Sequence, residues 1–124
     1  MPTRVTDLLS LLRGHPLIRS IRIVHYDETP AGKIELKVRC RLSGNYQLQI
    51  WLHVETPSQD YAYQLFSDRP LLRWDNAPHY PSIATTPHHF HDEGGSVRTS
   101  TLRGDPLLDL PSVLTEIEQW LRQH

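Results

Sequence analysis

Hydrophobic residues near the N-terminus recur at the spacing of one helix face. Val5, Leu8, Leu9 and Leu12 stand at positions i, i+3, i+4 and i+7, with polar residues between them. Side chains at this spacing share one side of an α-helix. A glycine at position 14, followed two residues later by a proline, ends the pattern. The sequence therefore predicts a short amphipathic helix over residues 4–13.

From residue 18 onward the period changes to two, which is the pattern of half-buried strands. The clearest alternation covers two neighbouring segments, residues 34–42 and 46–54, joined by the turn sequence Ser43-Gly44-Asn45. Weaker strand patterns cover residues 18–26, 61–66, 71–74 and 96–102. Because most connections between these segments are short enough for hairpins, we expect an antiparallel meander of five or six strands.

A second helical pattern lies at the C-terminal end of the chain. Within residues 110–122, the apolar residues at helical spacing are Val113, Ile117, Trp120 and Leu121. Asp109 is available as an N-cap, and Pro111 suits a first turn. Each strand offers one apolar face, so both helices are predicted to pack on that face of the sheet, in a two-layer α+β fold. The length of 124 residues predicts a single domain over residues 1–124.

Composition narrows the classes of function. The 13 Lys and Arg residues are balanced by 14 Asp and Glu residues, which excludes a general polycation that binds nucleic acid by bulk charge. Cys40 is the single cysteine, so no intrachain disulfide is expected. No segment approaches the roughly 18 apolar residues of a membrane span, and no secretory signal pattern is present. We expect a cytoplasmic protein with no membrane partner.

Basic and aromatic residues alternate with core positions in the two clearest strands. Lys37, Arg39 and Arg41 lie on one side of the first strand, and Trp51 lies on the same side of the second if the two pair in register. Arginine and lysine contact RNA phosphates, and bases stack on aromatic rings. The pattern offers an RNA-binding surface, although half-exposed strands also show alternating charges without any ligand.

The segment from residue 73 to residue 95 has little hydrophobic periodicity and contains half of the eight histidines. Loops longer than about 12 residues are usually functional or disordered, and the aromatic residues here argue against disorder. The candidate catalytic residues are Arg73, Asp75, His79, His88, His89 and His91, with Tyr80 as a further RNA contact. Asp75 is suited to orient an imidazole by accepting its second N–H.

These residue types match the needs of RNA cleavage without a metal ion. That reaction requires a base for the 2′-hydroxyl, an acid for the departing oxygen and a cation for the charge on phosphorus. Imidazoles exchange protons near neutral pH, and arginine holds phosphate by paired hydrogen bonds. We therefore expect a cofactor-free endoribonuclease in which His79 and one of His88, His89 or His91 exchange protons while Arg73 holds the phosphate.

Two other interpretations of the segment stay open. His89 and His91 point the same way on an extended chain, and with Asp92, Glu93 or His79 they would bind a metal ion for a metal-dependent nuclease. The chain has no recognised zinc motif, however. The alternative is a surface loop stiffened by prolines, whose histidines only bond the backbone.

The same residues resemble a prokaryotic family, the TumE-type toxins of toxin–antitoxin systems. The resemblance rests on Arg73-x-Asp75-Asn76-Ala77-Pro78-His79 and on Pro87-His88-His89-x-His91, and it has specificity from residue 46 to residue 102. Tyr80 stands where the family pattern suggests a second histidine, and Phe90 where it suggests a lysine.

The resemblance implies a small cytoplasmic toxin of a type II system, neutralised by a cognate antitoxin protein. RNA as the target is inferred from the way such toxins commonly act, joined to the histidine and arginine residues above. A homodimer is left open. The alternative class of function is a non-catalytic module that blocks an RNA or protein target by binding to it. In that case the basic residues of the sheet would matter, and the histidines would not.

Overall fold

The computed structural model describes residues 3–124, with side chains from Val5 onward. Helix α1 spans Thr3–Arg13 and helix α2 spans Pro106–Arg122. The strands between them are β1 (Ser20–Glu28), β2 (Ile34–Arg41), β3 (Gln47–Glu55), β4 (Ser58–Phe66), β5 (Pro70–Asp75), β6 (His89–His91) and β7 (Val97–Thr99). All neighbours in the sheet pair antiparallel and follow chain order, so the sheet is a meander.

The predicted α+β fold is confirmed, but the sheet has seven strands rather than five or six. The additional strand is β6, which lies inside the segment expected to be a loop and pairs with both β5 and β7. A strand of three residues is too short to display a period of two. Its hydrogen-bonding partners, rather than its own pattern, make it a strand.

Helix α2 begins at Pro106, ahead of the predicted start at residue 110. Asp105 is the N-cap, and its carboxylate accepts a bond of 3.0 Å from a backbone N–H of the first turn. Asp109 does not cap the helix and instead accepts the backbone N–H of Gly104 at 2.7 Å, while Pro111 lies within the helix. Asp105 with Pro106 and Asp109 with Pro111 are both suited to begin a helix, and the earlier pair begins it. Neither α1 nor α2 is long and apolar enough to cross a membrane.

One face of the sheet and one face of each helix share a single hydrophobic core. Its buried residues include Leu8, Leu12, Leu36, Val38, Leu48, Ile50, Tyr63, Leu65, Leu110, Val113 and Leu114. Trp74 of β5 is also buried, and its indole N–H donates to Glu116 of α2 at 2.9 Å. Both helices therefore lie on the apolar face, and the alternate residues of the strands point to the opposite, polar face.

Candidate active site

Strand pairing aligns the candidate residues in two rows across the polar face. The first row, from β2 to β6, is Lys37, Trp51, Ala62, Asp75 and His89. The second row is Arg39, Gln49, Gln64, Arg73 and His91. Directly paired residues of neighbouring strands have Cβ atoms about 5 Å apart. The basic residues of β2 and the histidines of β6, which lie far apart in the sequence, therefore share one continuous surface.

Asp75 links the charged residues at the β6 end of this face. Its carboxylate accepts Arg73 Nε at 2.7 Å and the backbone N–H of Ala77 at 3.0 Å. The same carboxylate contacts His89 Nε2 at 2.9 Å. Asp75 is only 5% exposed, and these partners satisfy a carboxylate that burial would otherwise make costly. The carboxylate therefore fixes the positions of a guanidinium and an imidazole.

His89 is held on both sides of its ring. Nδ1 lies 3.0 Å from the carbonyl oxygen of Pro87, and Nε2 faces Asp75. The residue is 2% exposed, and the ring of Tyr80 packs against it with centroids 4.8 Å apart. Because a carbonyl oxygen only accepts hydrogen bonds, Nδ1 carries a proton. A ring buried in this way orients its neighbours and has no access to a substrate.

His91 is the more accessible histidine of β6, with 26% of its side chain exposed. Burial lowers its pKa below the ordinary value, and the raising effect of Asp75 is opposed by His89 and Arg73. Its Nε2 lies 3.7 Å from Asp75 Oδ2, which is too long for a hydrogen bond. His91 is therefore a neutral imidazole at neutral pH, and a neutral imidazole can accept a proton.

Arg73 is paired with His91 across β5 and β6 and lines a cleft of about 480 Å³. Besides its bond to Asp75, it donates from Nη1 to Gln64 Oε1 at 3.0 Å. Within residues 3–124, no partner is seen for its Nη2. The other residues lining the cleft include Lys37, Gln49, Trp51, Asp60, Asn76 and Pro78. An arginine that lines a cleft and is oriented by a carboxylate and an amide is suited to hold a phosphate.

The structure does not bring His79 or His88 against Arg73. His79 is exposed in the loop after β5, and its side chain makes no hydrogen bond, ion pair or ring contact with the described residues. His88 precedes β6 and points toward the helices, where its Nδ1 lies 2.9 Å from the hydroxyl of Tyr61, a buried core residue. Alternation along the chain explains this, since His88 and His89 face opposite sides of the sheet.

The five predicted RNA-contacting residues do not all lie at the cleft. Lys37 and Trp51 line the cleft, and Arg39 lies in the Arg73 row, where its Nε donates to Gln49 Oε1 at 2.9 Å. Arg41 is exposed at the end of β2, away from the cleft lining. The fifth residue, Tyr80, packs against both histidines of β6, so its ring covers them.

The proposed third metal ligand, Asp92, is used elsewhere. It accepts the backbone N–H groups of Gly94 and Ser96, at 3.0 and 2.9 Å, in the turn after β6, and it pairs with Arg98 at 2.8 Å. Glu93 contacts His124 at 2.8 Å. Asp75 instead lies beside the two histidines: in the described part of the chain, Asp75, His89 and His91 are the one group of three such ligands, with ligand atoms within 4.8 Å of one another.

Two contributors to the site were not singled out from the sequence. Gln64 orients Arg73, and the backbone carbonyl of Pro87 orients His89. Gln64 could have been found from the sequence, because it stands on the polar side of the alternation in residues 61–66. The role of the Pro87 carbonyl could not have been found in this way, since every residue has a backbone carbonyl.

Comparison with known proteins assigns the chain to a family. No curated protein and no solved structure matches it. A family model described as Toxin TumE matches residues 8–121, from within α1 to within α2. The match therefore includes every strand of the sheet and both rows of the polar face. Since it spans far more than half of the sequence, this chain belongs to the TumE toxin family.

Proposed function

We propose that this toxin cleaves single-stranded RNA without a metal ion, with Arg73 and His91 as the residues that act on the substrate. Membership of the TumE family makes the chain the toxin of a toxin–antitoxin system, with a cognate antitoxin as its partner. We further propose that the antitoxin is a protein, as in a type II system. The RNA chemistry is inferred from the polar face and not from the family.

The observation that carries the proposal is the pairing of Arg73 with His91 beside one shared carboxylate. The two residues are direct cross-strand partners, and Asp75 contacts Arg73 at 2.7 Å and lies 3.7 Å from His91. A guanidinium beside a neutral imidazole provides a phosphate-binding cation next to a proton acceptor. These are two of the three groups that metal-free RNA cleavage requires.

The proposed reaction is an internal transesterification. His91 accepts the proton of a ribose 2′-hydroxyl, and the 2′-oxygen attacks the adjacent phosphorus. The bond from phosphorus to the 5′-oxygen breaks, and that oxygen takes a proton from water in the open cleft. The hydroxide formed from that water then takes the proton from His91, which restores the neutral imidazole. The products are a 2′,3′-cyclic phosphate and a 5′-hydroxyl end. Arg73 stabilises the negative charge that builds on the phosphoryl oxygens.

Asp75 and His89 act in this scheme as positioning residues. His89 is buried beneath Tyr80 and does not contact the RNA, but it holds one side of the Asp75 carboxylate. The other carboxylate oxygen orients the Arg73 guanidinium. Because the carboxylate is held rigidly, the Arg73 guanidinium is already oriented before the RNA binds. Less conformational entropy is then lost when the complex forms.

The direct test of the proposal uses purified, EDTA-treated protein and a labelled single-stranded RNA oligonucleotide. We expect cleavage that leaves 2′,3′-cyclic phosphate ends, and no cleavage of a matched oligonucleotide with 2′-deoxyribose at the cleaved position. RNA binding without cleavage would support the non-catalytic blocking module instead. Cleavage only after a divalent ion is added would support a metal-dependent nuclease.

Charge reversal on β2 tests whether the polar face binds the RNA. Lys37→Glu and Arg39→Glu are each expected to weaken binding for all sequences and to reduce the slope of log affinity against log salt by about 1. Arg122→Glu is the control, because that residue is exposed on α2, on the other side of the sheet. Fluorescence anisotropy at several salt concentrations measures the effect. An equal loss of RNA affinity in all three variants would indicate that the protein binds RNA by its overall charge alone.

A further inference from the structure

We propose that Asp75, His89 and His91 form a binding site for a divalent transition metal ion such as Zn²⁺, and that an ion bound there inhibits the toxin. The binding site is inferred from the geometry of the three side chains alone. The inhibition rests on the proposed function, because it follows from the loss of His91 as a proton acceptor.

The separations between the Asp75 carboxylate and the two imidazoles are close to those around a metal ion. Zinc ligands lie about 2.0–2.2 Å from the ion, which places neighbouring donor atoms roughly 3–4 Å apart. The Asp75 carboxylate lies 2.9 Å from His89 Nε2 and 3.7 Å from His91 Nε2. All three donor atoms lie within 4.8 Å of one another. A set of two histidines and one carboxylate suits zinc, iron, nickel or cobalt better than magnesium or calcium.

The hydrogen bonds around the ligands match those of known metal sites. A metal-binding histidine almost always donates its other ring N–H to a carbonyl or carboxylate oxygen. His89 has this arrangement, since its Nδ1 faces the Pro87 carbonyl at 3.0 Å while its Nε2 faces Asp75. An ion bound by Nε2 and the carboxylate would leave the contact of Nδ1 with the Pro87 carbonyl unchanged. The backbone N–H of Ala77, at 3.0 Å, keeps the carboxylate in place.

The second imidazole is equally well placed. His91 Nε2 lies too far from Asp75 Oδ2 for a hydrogen bond, and the gap between them can accept an ion. Tyr80 packs against both rings, with centroid distances of 4.8 Å to His89 and 5.7 Å to His91, and so restricts their rotation. The guanidinium of Arg73 opposes a cation at this position and limits its affinity.

An ion in this site would prevent the proposed reaction. A ring nitrogen that coordinates a metal has no lone pair with which to accept the 2′-hydroxyl proton. The ion would also compete with Arg73 for the Asp75 carboxylate and so disturb the phosphate-binding cation. Metal binding would therefore hold the toxin inactive without any contact from the antitoxin.

The test measures metal binding on the full chain without an affinity tag. Zn²⁺ binding is followed by calorimetry, and Co²⁺ binding by its visible absorption, which reports the ligand set. We expect one ion per chain, and at least about tenfold weaker binding for His91→Ala and for Asp75→Asn. His25→Ala is the matched control and should bind as the wild type does, because His25 also contacts an acid, Glu35 at 3.4 Å, but lies outside the cluster.

Each result bears on one part of the proposal. Wild-type affinity in His91→Ala and Asp75→Asn, or an equal loss in His25→Ala, would overturn the metal site. Activity is then measured with EDTA-treated protein and single-stranded RNA, and saturating Zn²⁺ is expected to abolish cleavage. Activation by Zn²⁺ would overturn both the inhibition and the metal-free mechanism. Metal binding in a protein that does not cleave RNA would leave the site intact and reject the nuclease function alone.

Discussion

Replacing His91 with alanine is expected to slow RNA cleavage by about 10²–10⁴-fold, the usual effect of removing a general base. The variant keeps the buried Asp75 and His89 contact, and His91 is partly exposed, so we expect it to fold. RNA affinity should change little, since Lys37 and Arg39 are intact. Single-turnover rates, measured with the labelled oligonucleotide in EDTA, give the effect on the chemical step.

The pH profile distinguishes a chemical role for His91 from a structural one. Burial lowers the pKa of His91 below its usual range, and the neutral ring is the active form. The wild-type rate should therefore fall as the pH drops, with a midpoint below the ordinary histidine pKa of about 6.5, because protonation removes the acceptor. The residual activity of His91→Ala should lack this decline. His25→Ala serves as the control, and a wild-type rate in His91→Ala would exclude the mechanism.

Asp75→Ala is expected to lower the free energy of unfolding by about 3 kcal/mol, near the lower end of the range for breaking a buried charged pair. The substitution leaves His89 buried without its carboxylate partner, and it leaves the Ala77 N–H without an acceptor. The loss is not greater because the side chain of Arg73 is already 42% exposed and can turn toward solvent. Urea unfolding, followed by tryptophan fluorescence, measures the change.

Asp60→Ala provides the comparison for this prediction. Asp60 lies on the same polar face, but its side chain is 57% exposed and it contacts His53 only at 3.9 Å. Exposed ion pairs contribute about 0–1 kcal/mol, so this variant should remain within about 1 kcal/mol of the wild type. If the two variants lost the same stability, Asp75 would not be the residue that holds this part of the sheet together.

The two-layer architecture could be predicted because most elements are long enough to show their period. Strands β2 and β3 alternate over eight and nine residues, and the buried members of both strands are the apolar ones. The N-terminal helix is equally clear from Val5, Leu8, Leu9 and Leu12, all of which are buried. Each pattern arises because one face of the helix or strand is buried. It can therefore be recognised in the sequence without knowledge of the tertiary contacts.

The histidine segment could be predicted only in part. Its alternation indicates that His89 and His91 point the same way, and both lie on the polar face of the sheet. His79 and His88 are near these residues in the sequence, but nearness in sequence does not place a side chain on the same face. Their positions depend on how residues 76–88 fold between β5 and β6. Because this segment has no hydrophobic period, its conformation cannot be predicted from the sequence pattern.

The sequence alone determined the α+β class, the antiparallel order of the elements, the apolar face that both helices cover, and the resemblance to the family whose model matches residues 8–121. Only the tertiary structure decided that His91 lies opposite Arg73, and that Asp75 rather than Asp92 stands beside the two histidines. The physical reason is that periodicity records which face a residue occupies, whereas the register between two strands joined by a long loop is set by hydrogen bonds and packing across the sheet.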